Sequence, residues 1–399
     1  LRRGIIPIYE PGLSAMVSRG AELERLYKEI NENESLREEA RAELVKLQQG
    51  DKENKIIWHR MIALSQEQFD LMYGRLRVRF DETLGESFYN PFLSETVNQL
   101  QKRSITEESQ GAMVVRFPSD KHLEDKPAIV QKSDGAANYM TTDLATLDYR
   151  LKEWSPNEIL YVTDGRQQLH FQQLFNIFRR WRPGSKVDLK HVWFGSILSS
   201  DGKPFKTRSG QTVRLSDLLN EAEERGLAAV TEKNPGLSNA ERLEIGRVVG
   251  LGALKYADLS NNRQSDYVFD WDKMLALQGN TAPYLQYAYT RVRSIFRKAK
   301  EPDWKKTTIH LEDKEELSLA MHLMNFGHTL EMVAEDHRPN YLCNYLFELA
   351  GRFSRFYEAC PVLRAEEGKQ QSRLALCELT ARVLRGGLDA LGIEVTEAM

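Results

Sequence analysis

The sequence predicts an α/β domain followed by an all-α domain. Short β-branched runs alternate with helical stretches between residues 111 and 198, which is the pattern of a parallel sheet with right-handed crossovers. From residue 216 to the end, strand signals stop and helix follows helix, separated by prolines. At 399 residues the chain exceeds what one hydrophobic core usually fills, so at least two domains are expected.

The elements can be assigned in chain order. Residues 20–49, rich in Glu, Leu, Arg and Ala, predict a charged pair of helices. Strands are expected at 112–115, 128–130, 159–162 and 190–193, with crossover helices at 142–152 and 167–182. Helix breaks are expected at Pro235 with Gly236, Pro283, Pro302, Pro339 and Pro361. The charged stretch 301–316 predicts an exposed connection.

The composition is that of a soluble globular protein, with 41% hydrophobic and 28% charged residues. No apolar run approaches the length that crosses a bilayer and the first residues show no signal-peptide pattern, so we expect a cytosolic protein without a membrane role. The net charge of −3 neither predicts nor excludes RNA binding. No C-x-x-C pair occurs, which predicts no metal site and three buried cysteines, Cys343, Cys360 and Cys377.

Residues 201–210, DGKPFKTRSG, are the most informative stretch and follow the last predicted strand. Their lysines, arginine and hydroxyls make a cationic loop that could hold a polyphosphate and stabilise the charge that develops as phosphate leaves. The spacing of Gly195 from Gly202 and Lys203 is wrong for a Walker A loop. On composition alone, a plain surface turn is the better interpretation.

A polar turn follows the predicted strand at 159–162. In open α/β sheets, ligands bind beyond the carboxyl ends of the strands, which is where Asp164, Gln167 and His170 stand. His170 could form a hydrogen bond with a phosphate or a ribose. Without further context, a histidine at a helix start is more often a capping or packing residue.

A second polar turn follows the strand at 128–130. Thr141 or Thr142 is a plausible N-cap there, which leaves Tyr139 just before the helix and Asp143 in its first turn. A carboxylate and a phenol at this place could bind a cationic substrate, and a guanidinium pairs bidentately with a carboxylate. The alternative is that Asp143 is a helix-start charge that serves stability.

Aromatic and basic residues interleave along the predicted helix at 279–300. Its tyrosines could stack on bases while its basic residues meet phosphates; they are Tyr284, Tyr287 and Tyr289, with Arg291, Arg293, Arg297 and Lys298. The alternative is an amphipathic helix with tyrosines in the core and basic residues in water.

Taken in order, these segments resemble arginyl-tRNA synthetases, which are class I aminoacyl-tRNA synthetases, nearly end to end. The matching motifs of the α/β part are GESFYN at 85–90, QKSDG at 131–135, Tyr139 with TDLA at 142–145, Gln167 with His170 and Phe171, FKTRSG at 205–210 and TVRL at 212–215. Those of the helical part are PYLQYA at 283–288, Arg291, Tyr345 with Leu346, Phe356 with Tyr357, and LGI at 391–393 near Met399. Each motif is weak alone, and the ordered series is specific.

The resemblance implies a fold and an activity. It implies the later portion of a Rossmann-type class I catalytic domain with a helical insertion at 1–215, connecting helices at 216–278, and a helical-bundle anticodon-binding domain of DALR type at 279–399. It also implies an arginine–tRNA ligase that uses ATP with Mg²⁺ to form arginyl-adenylate and then charges tRNA(Arg). No DNA or membrane partner is implied, and the expected location is the cytoplasm.

The resemblance also implies residue roles. It assigns arginine recognition to Tyr139, Asp143 and Gln167. It assigns ATP binding to His170, Lys203, Lys206 and Arg208. The KMSKS signature of class I synthetases takes the FKTRS form here, and its catalytic residues are Lys206, Thr207, Arg208 and Ser209. The resemblance assigns contacts with tRNA to Tyr284, Ala288, Arg291 and Met399.

The chain departs from the family pattern at its start. None of its eight histidines belongs to the H-x-G-H pattern that class I synthetases carry on the first βα turn, and the chain begins with Leu1. We therefore expect an N-terminally truncated chain, as a fragment, a mis-started gene model or a split-gene product. Alone it should show little or no adenylation, with the missing segment supplied by a full-length chain or a second polypeptide.

The sequence leaves two alternatives to an arginine enzyme. A noncatalytic tRNA-binding or regulatory paralogue would have no need of Asp143 and Gln167 together. Another class I synthetase, such as the cysteine enzyme, is disfavoured by the absence of zinc-type cysteines and by the pair Tyr139 and Asp143.

Overall fold

The protein is described by a computed structural model that covers residues 25–27, 29–199, 201–203, 214–299 and 307–397. These residues fall into two compact units, one ending at Asp81 and the other beginning at Glu82.

The first unit contains two long helices, α1 (Glu34–Gln48) and α2 (Lys52–Leu76). Each begins at a side-chain cap: Asn33 accepts hydrogen bonds from backbone amides of α1, and Asp51 accepts one from α2. The predicted pair of helices over 20–49 is confirmed, because residues 25–27 and 29–32 are helical and α1 follows after Asn33. α2 is a further helix beyond the predicted range.

The α/β part of the second unit alternates strands with helices. A 3₁₀ turn, Glu86–Tyr89, precedes α3 (Asn90–Lys102), β1 (Glu107–Ser109), β2 (Ala112–Val115), β3 (Ala128–Gln131), α4 (Tyr139–Trp154), β4 (Glu158–Asp164), a 3₁₀ turn (Gly165–Gln167), α5 (Gln168–Trp181), β5 (Asp188–Phe194) and β6 (Ile197–Leu198). The four predicted strands and both predicted helices are confirmed, with small changes of boundary. α5 joins two paired parallel strands, whereas α4 joins β3 to β4, which lie in different sheets.

The strands pair in both directions. β4 and β5 are parallel along their whole length, with α5 as the crossover between them. β1, β2 and β3 form an antiparallel sheet, so the expected parallel pairing is wrong for β2 and β3. Gln110 and Gly111, both with positive φ, close a tight β1–β2 hairpin, and residues 116–127 contain no helix that could serve as a crossover.

One hydrophobic core joins these elements. It includes Val130 of β3, Leu144 of α4, Leu174 and Phe178 of α5, and Leu189 of β5, all buried. The apolar faces of α4 and α5 thus fix both helices against the strands, and with them the polar residues at the helix starts.

The rest of the second unit is mainly helical. It consists of α6 (Leu215–Lys233), α7 (Asn239–Leu259), β7 (Tyr267–Val268), α8 (Trp271–Met274), α9 (Ala282–Lys298), α10 (Lys314–Met324), α11 (Phe326–Asp336), α12 (Pro339–Ala359) and α13 (Glu367–Ala390). The three cysteines are buried and unpaired, as predicted. The domain limits 1–215, 216–278 and 279–399 stay predictions.

Helix boundaries in this part fall at the predicted prolines. Pro283 lies in the first turn of α9, Pro339 opens α12, and Pro361 follows its end. Pro235 lies between α6 and α7, whereas Pro302 is outside the described residues. The expectation that strands end before residue 216 is wrong, because β7 pairs in parallel with β6. A strand of two residues has no periodicity to detect and exists through its distant partner.

α6 and α7 cross at a separation that only glycine permits. A methyl group on Gly250 would lie 2.0 Å from the carbonyl oxygen of Ala222, and one on Gly226 would lie 2.2 Å from the carbonyl oxygen of Gly246. Gly246 and Gly250 are four residues apart and therefore lie on one face of α7. The two backbones are in direct contact along this face.

We expect Gly250→Ala to lower the free energy of unfolding by about 1–3 kcal/mol, because the added methyl group must push the two helices apart. Urea denaturation followed by circular dichroism measures the change. Gly327→Ala is the matched control, since Gly327 is also helical and a methyl group there meets open space. The control should instead stabilise by about 0.5–1 kcal/mol, and equal destabilisation by both substitutions would contradict the close contact.

A buried histidine joins α10 to α12. The Nε2 of His322 lies 3.0 Å from the carbonyl oxygen of Tyr345, whose hydroxyl donates to the carbonyl oxygen of His322 at 2.9 Å. The two rings stack with centroids 4.4 Å apart. Burial lowers the pKa of His322 below its ordinary 6.5, so the folded protein holds this ring neutral.

Stability should therefore fall as pH decreases through 6.5. Below that pH the unfolded chain binds a proton at His322 that the folded protein takes up only at lower pH, and this difference favours unfolding. Urea midpoints measured above and below pH 6.5 should differ less in His322→Leu than in the wild type. His328→Leu, at an exposed position, should keep the wild-type dependence. If His322→Leu kept the pH dependence of the wild type, His322 would not be the cause of the loss of stability at low pH.

Candidate active site

The start of α4 positions the first group of polar side chains. Asn138, not Thr141 or Thr142, is the N-cap: its side-chain oxygen accepts from the amide of Met140 at 3.1 Å. Thr141 is buried, and its hydroxyl donates to the carbonyl oxygen of Val130 in β3, so it is used to attach the helix to the strand. Both threonine predictions are therefore wrong.

With the cap at Asn138, the helix starts one turn earlier than predicted. Tyr139 is the first residue of α4, and Asp143 lies in its second turn rather than its first. Charges stabilise a helix mainly in its first turn, so this position weakens the interpretation that Asp143 only stabilises the helix.

The turn after β4 positions the second group. Asp164 accepts hydrogen bonds from the backbone amide and the Nε of Arg166, each at 2.8 Å. The side-chain hydrogen bond from Arg166 holds the pKa of Asp164 below its usual value. This turn leads into α5, with Gln167 exposed at its start and His170 one turn further along.

The two groups meet between α4 and α5. The Nε2 of His170 lies 2.6 Å from the Oδ2 of Asp143. The ring of Tyr139 packs edge-on to that of His170, with centroids 5.1 Å apart, and Tyr139 is 68% exposed. Three of the predicted residues thus form one cluster, with a phenol and a carboxylate open to solvent beside a more deeply buried imidazole.

A second histidine at this place was missed by the sequence analysis. The Nε2 of His191 lies 2.8 Å from the Oγ1 of Thr163, and its ring lies 4.4 Å from that of Phe171. Burial, with help from nearby Arg263 and His170, lowers the pKa of His191 below 6.5. The signal that could have revealed it is a histidine next to the apolar run at 192–194 of a predicted strand.

The segment after β5 is fixed by residues that follow α7. Arg263 donates through Nη1 to the carbonyl oxygen of Trp193 at 2.5 Å, and its own carbonyl accepts from the amide of Gly195 at 2.7 Å. The amide of Ser196 donates to Asp266 at 2.6 Å. A methyl group on Gly195 would lie 2.7 Å from the backbone of Ser265, so this approach requires glycine.

This fixed segment leads to the predicted phosphate-binding loop. Asp201 accepts from the hydroxyl of Ser199 at 2.7 Å and from the amide of Lys203 at 3.2 Å, and the Ser199 contact lowers the pKa of Asp201. The side chain of Lys203 is exposed. The predicted catalytic residues lie outside the described residues; they are Lys206, Thr207, Arg208 and Ser209.

A cavity of about 880 Å³ opens at the carboxyl ends of β4 and β5. Most of its lining surface is apolar, although about half of the lining residues are polar or charged; the lining includes Val162, Phe194, Ile197, Asp164, Arg263 and His337. Apolar walls with a few placed polar groups are typical of small-molecule sites, and the position is the one at which open α/β sheets bind ligands.

The tyrosines of α9 divide between core and surface. Tyr289 is buried, and its hydroxyl donates to Glu397 at 2.8 Å. Tyr284 is partly buried against Phe347, whereas Tyr287 is 48% exposed. Base stacking is therefore open to Tyr287, and the core interpretation holds for Tyr289.

The other predicted tRNA-contact residues of α9 differ in exposure. Ala288 is buried in the helical core, which leaves its side chain no surface for RNA. The guanidinium of Arg291 lies 4.8 Å from the ring centroid of Tyr357. Arg293 pairs with Glu397 at 2.9 Å. Met399 is outside the described residues.

Comparison with protein families decides the identity of this arrangement. A family model described as "tRNA synthetases class I (R), catalytic domain" matches residues 15–271. The chain belongs to the arginyl-tRNA synthetases. A second model, the DALR anticodon binding domain, matches residues 285–399 of this synthetase chain. The predicted fold class, a class I catalytic portion followed by a helical anticodon-binding domain, is confirmed. Family members use ATP, arginine and tRNA as substrates.

Individual arginyl-tRNA synthetases match over nearly the whole chain. The arginine–tRNA ligase of Chromobacterium violaceum is 47% identical over 389 residues, which cover 95% of this chain and 68% of that protein. That of Proteus mirabilis is 46% identical over 391 residues with the same coverage. The chain therefore spans about two thirds of the length of these curated relatives.

Solved structures of arginyl-tRNA synthetases share the fold. The Plasmodium falciparum enzyme superposes with a TM-score of 0.82 at 30% identity, covering 98% of this chain and 64% of the other. The Thermus thermophilus enzyme gives 0.82 at 25% identity, covering 94% and 69%. Within the described part of the chain, no helix is long and apolar enough to span a membrane.

Proposed function

We propose that this chain provides the arginine pocket, part of the ATP site and the anticodon-binding surface of a cytoplasmic arginine–tRNA ligase. The reaction joins arginine to ATP as arginyl-adenylate, releases pyrophosphate and transfers the arginyl group to the terminal ribose of tRNA(Arg). The observation that carries the proposal is the cluster of Asp143 and Tyr139 between α4 and α5, beside the carboxyl ends of the parallel strands.

The chemistry of this cluster fits a guanidinium. A carboxylate offers about four lone-pair positions, so Asp143 can accept two parallel N–H bonds from arginine while Oδ2 keeps its contact with His170. In the proposal, the Tyr139 hydroxyl and the Gln167 side-chain carbonyl accept further N–H groups. Lysine has a single ammonium and cannot occupy such a fork in the same way.

ATP is proposed to bind at the cavity beyond β4 and β5. Phe194 and Ile197 offer apolar surface for a base, and Asp164 offers a carboxylate for ribose hydroxyls. Lys203, Lys206 and Arg208 would neutralise charge as pyrophosphate leaves, with Thr207 and Ser209 as hydrogen-bond donors. ATP enters as its magnesium complex, so Mg²⁺ belongs to the substrate.

The proposed tRNA surface lies on α9 and at the C-terminus. Support comes from the exposed ring of Tyr287 and from the guanidinium of Arg291, which stacks near Tyr357 and suits a phosphate or a base. We also propose Tyr284 and Met399 as tRNA-contact residues. We do not propose a tRNA contact for the Ala288 side chain, because it packs in the core.

We propose that adenylation also requires the first βα turn of class I synthetases, which carries the H-x-G-H pattern and is called the HIGH-type turn here. No such pattern occurs among the histidines of the sequence. ATP–pyrophosphate exchange with arginine and cognate tRNA tests this requirement. This chain should be compared with a longer polypeptide that adds such a turn ahead of Leu1, or with the same segment supplied separately. We expect exchange only when that segment is present.

Exchange by the rigorously purified chain alone would contradict the requirement for the added turn. If neither form exchanged pyrophosphate but both bound tRNA(Arg), the noncatalytic tRNA-binding alternative would replace the enzyme. Binding of tRNA is measured separately, by filter binding at a stated salt concentration.

A further inference from the structure

We propose that His170 is a positioning residue for the arginine-binding carboxylate of Asp143, rather than an ATP ligand. This inference rests on the proposed arginine pocket and specifies how that pocket is held in shape. It differs from the role that the sequence resemblance implies for the same histidine.

The hydrogen bond assigns the proton on the ring. An ionised carboxylate only accepts, so at 2.6 Å the Nε2 of His170 must donate to the Oδ2 of Asp143. The other nitrogen, Nδ1, is buried and has no hydrogen-bond partner among the described residues.

The surroundings hold the ring in this orientation. The His170 side chain is only 14% exposed, and its ring contacts those of Tyr139 and Phe171, with a centroid distance of 5.1 Å in each case. The titratable groups that face it are Asp143 and Tyr139 from α4 and His191 from β5. With Nε2 directed at the carboxylate, the imidazole has no donor left for a phosphate.

The contact determines how Asp143 can meet its substrate. One lone pair of Oδ2 is occupied by His170, which fixes the plane of the carboxylate and leaves a lone pair on each oxygen for the two N–H groups of a guanidinium fork. A carboxylate free to rotate would have to be ordered when arginine binds, and that ordering would weaken affinity. His170 thus acts on arginine binding without touching arginine.

The test separates arginine from ATP. Isothermal titration calorimetry of the 399-residue chain measures the affinity for each ligand in the wild type, His170→Leu, His170→Gln and Asp143→Asn. We expect His170→Leu to weaken arginine binding about tenfold, the effect of one hydrogen bond to a charged group, and to leave ATP binding unchanged. His170→Gln places an amide donor near the Nε2 position and should recover most of the lost affinity.

Each other outcome overturns a defined part of the proposal. If His170→Leu weakened ATP binding and left arginine binding unchanged, His170 would be an ATP ligand and the proposal would be wrong. Weakened arginine binding in Asp143→Asn but not in His170→Leu would remove the positioning role and leave the proposed function standing. No effect of Asp143→Asn on a chain that binds arginine would remove the pocket itself.

Nitrogen-15 NMR of the imidazole tests the contact without any ligand. The wild type should show a proton on Nε2, and Asp143→Asn should shift that resonance. A wild-type ring protonated at Nδ1 and not at Nε2 would overturn the inference even if arginine bound weakly to this chain.

Discussion

Asp143→Asn should weaken arginine binding, and with it arginine-dependent pyrophosphate exchange by the form that carries the added turn, by about a hundredfold. The carboxylate is the proposed anionic partner of the guanidinium, and hydrogen bonds to charged groups contribute about 1.5–3 kcal/mol, where 1.4 kcal/mol is a factor of ten. Asparagine keeps the shape of the side chain but removes its charge and replaces one acceptor by a donor that opposes the donors of arginine. The loss should appear in the KM for arginine and leave the KM for ATP close to the wild-type value.

Glu153→Gln is the matched control for this substitution. Glu153 lies on the same helix, α4, and is exposed to solvent. Its neutralisation removes the same formal charge without touching the pocket, so exchange should stay at the wild-type rate. If the two variants behaved alike, the effect would report net charge on the protein, and Asp143 would lose its assignment.

Arg373→Met is expected to lower the free energy of unfolding by about 3–5 kcal/mol, because it would leave a buried carboxylate without its cation. Arg373 donates through Nε to Glu316 at 2.7 Å and through Nη2 to Asp313 at 2.6 Å. A third bond runs from Nη1 to the carbonyl oxygen of Pro361 at 2.7 Å. The Glu316 residue is 1% exposed and the Arg373 side chain 5%, so water cannot replace the bond between them, whereas the Asp313 side chain is partly exposed.

Glu316 is also the capping side chain of α10. Its second oxygen accepts from the backbone amides of Glu312 and Asp313, at 2.8 and 3.0 Å. Burial alone would raise the pKa of Glu316, but the bonds from the Asp313 backbone and from Arg373 outweigh burial and lower it below 4.5. Cys360 lies within 4.8 Å of these carboxylates, a spacing that a metal ion could accept. Arg373 already pairs with both carboxylates and Lys369 with Asp313, so this cluster is a structural ion-pair network.

Arg382→Met, on the same helix as Arg373, is the matched control for the buried pair. Arg382 pairs with Glu378 at 3.0 Å with its side chain 61% exposed, and its loss should cost under about 1 kcal/mol. Urea denaturation gives both values. A combined Arg373→Met and Glu316→Leu variant should regain part of the stability, since no charge is then left buried. A cost for Arg373→Met as small as that of the control would contradict this account.

Local pattern was enough to predict most elements, because helices and strands show their periodicity within a few residues. The two helices predicted at 142–152 and 167–182 lie at Tyr139–Trp154 and Gln168–Trp181. Features that depend on distant residues could not be read in this way. The direction of the β2–β3 pairing and the existence of β7 are set by partners elsewhere in the chain.

In the candidate site, too, features that depend on nearby residues could be predicted and those that depend on distant residues could not. Tyr139 and Asp143 could be singled out because a phenol and a carboxylate stood at a helix start after a strand. Their contact with His170, from the next helix, required the packing of α4 beside α5. The cap at Asn138 could have been predicted, since asparagine is among the strongest N-cap residues, but the two threonines offered an equally plausible choice.

The parallel pairing of β6 with β7 limits how this protein can be dissected. β6 precedes residue 215 and β7 follows it, so a cut at the predicted end of the catalytic portion would separate two paired strands. The same cut would remove Arg263 from the carbonyl oxygen of Trp193. A catalytic fragment excised there would expose the end of β5 to solvent and should fold less cooperatively than the intact second unit.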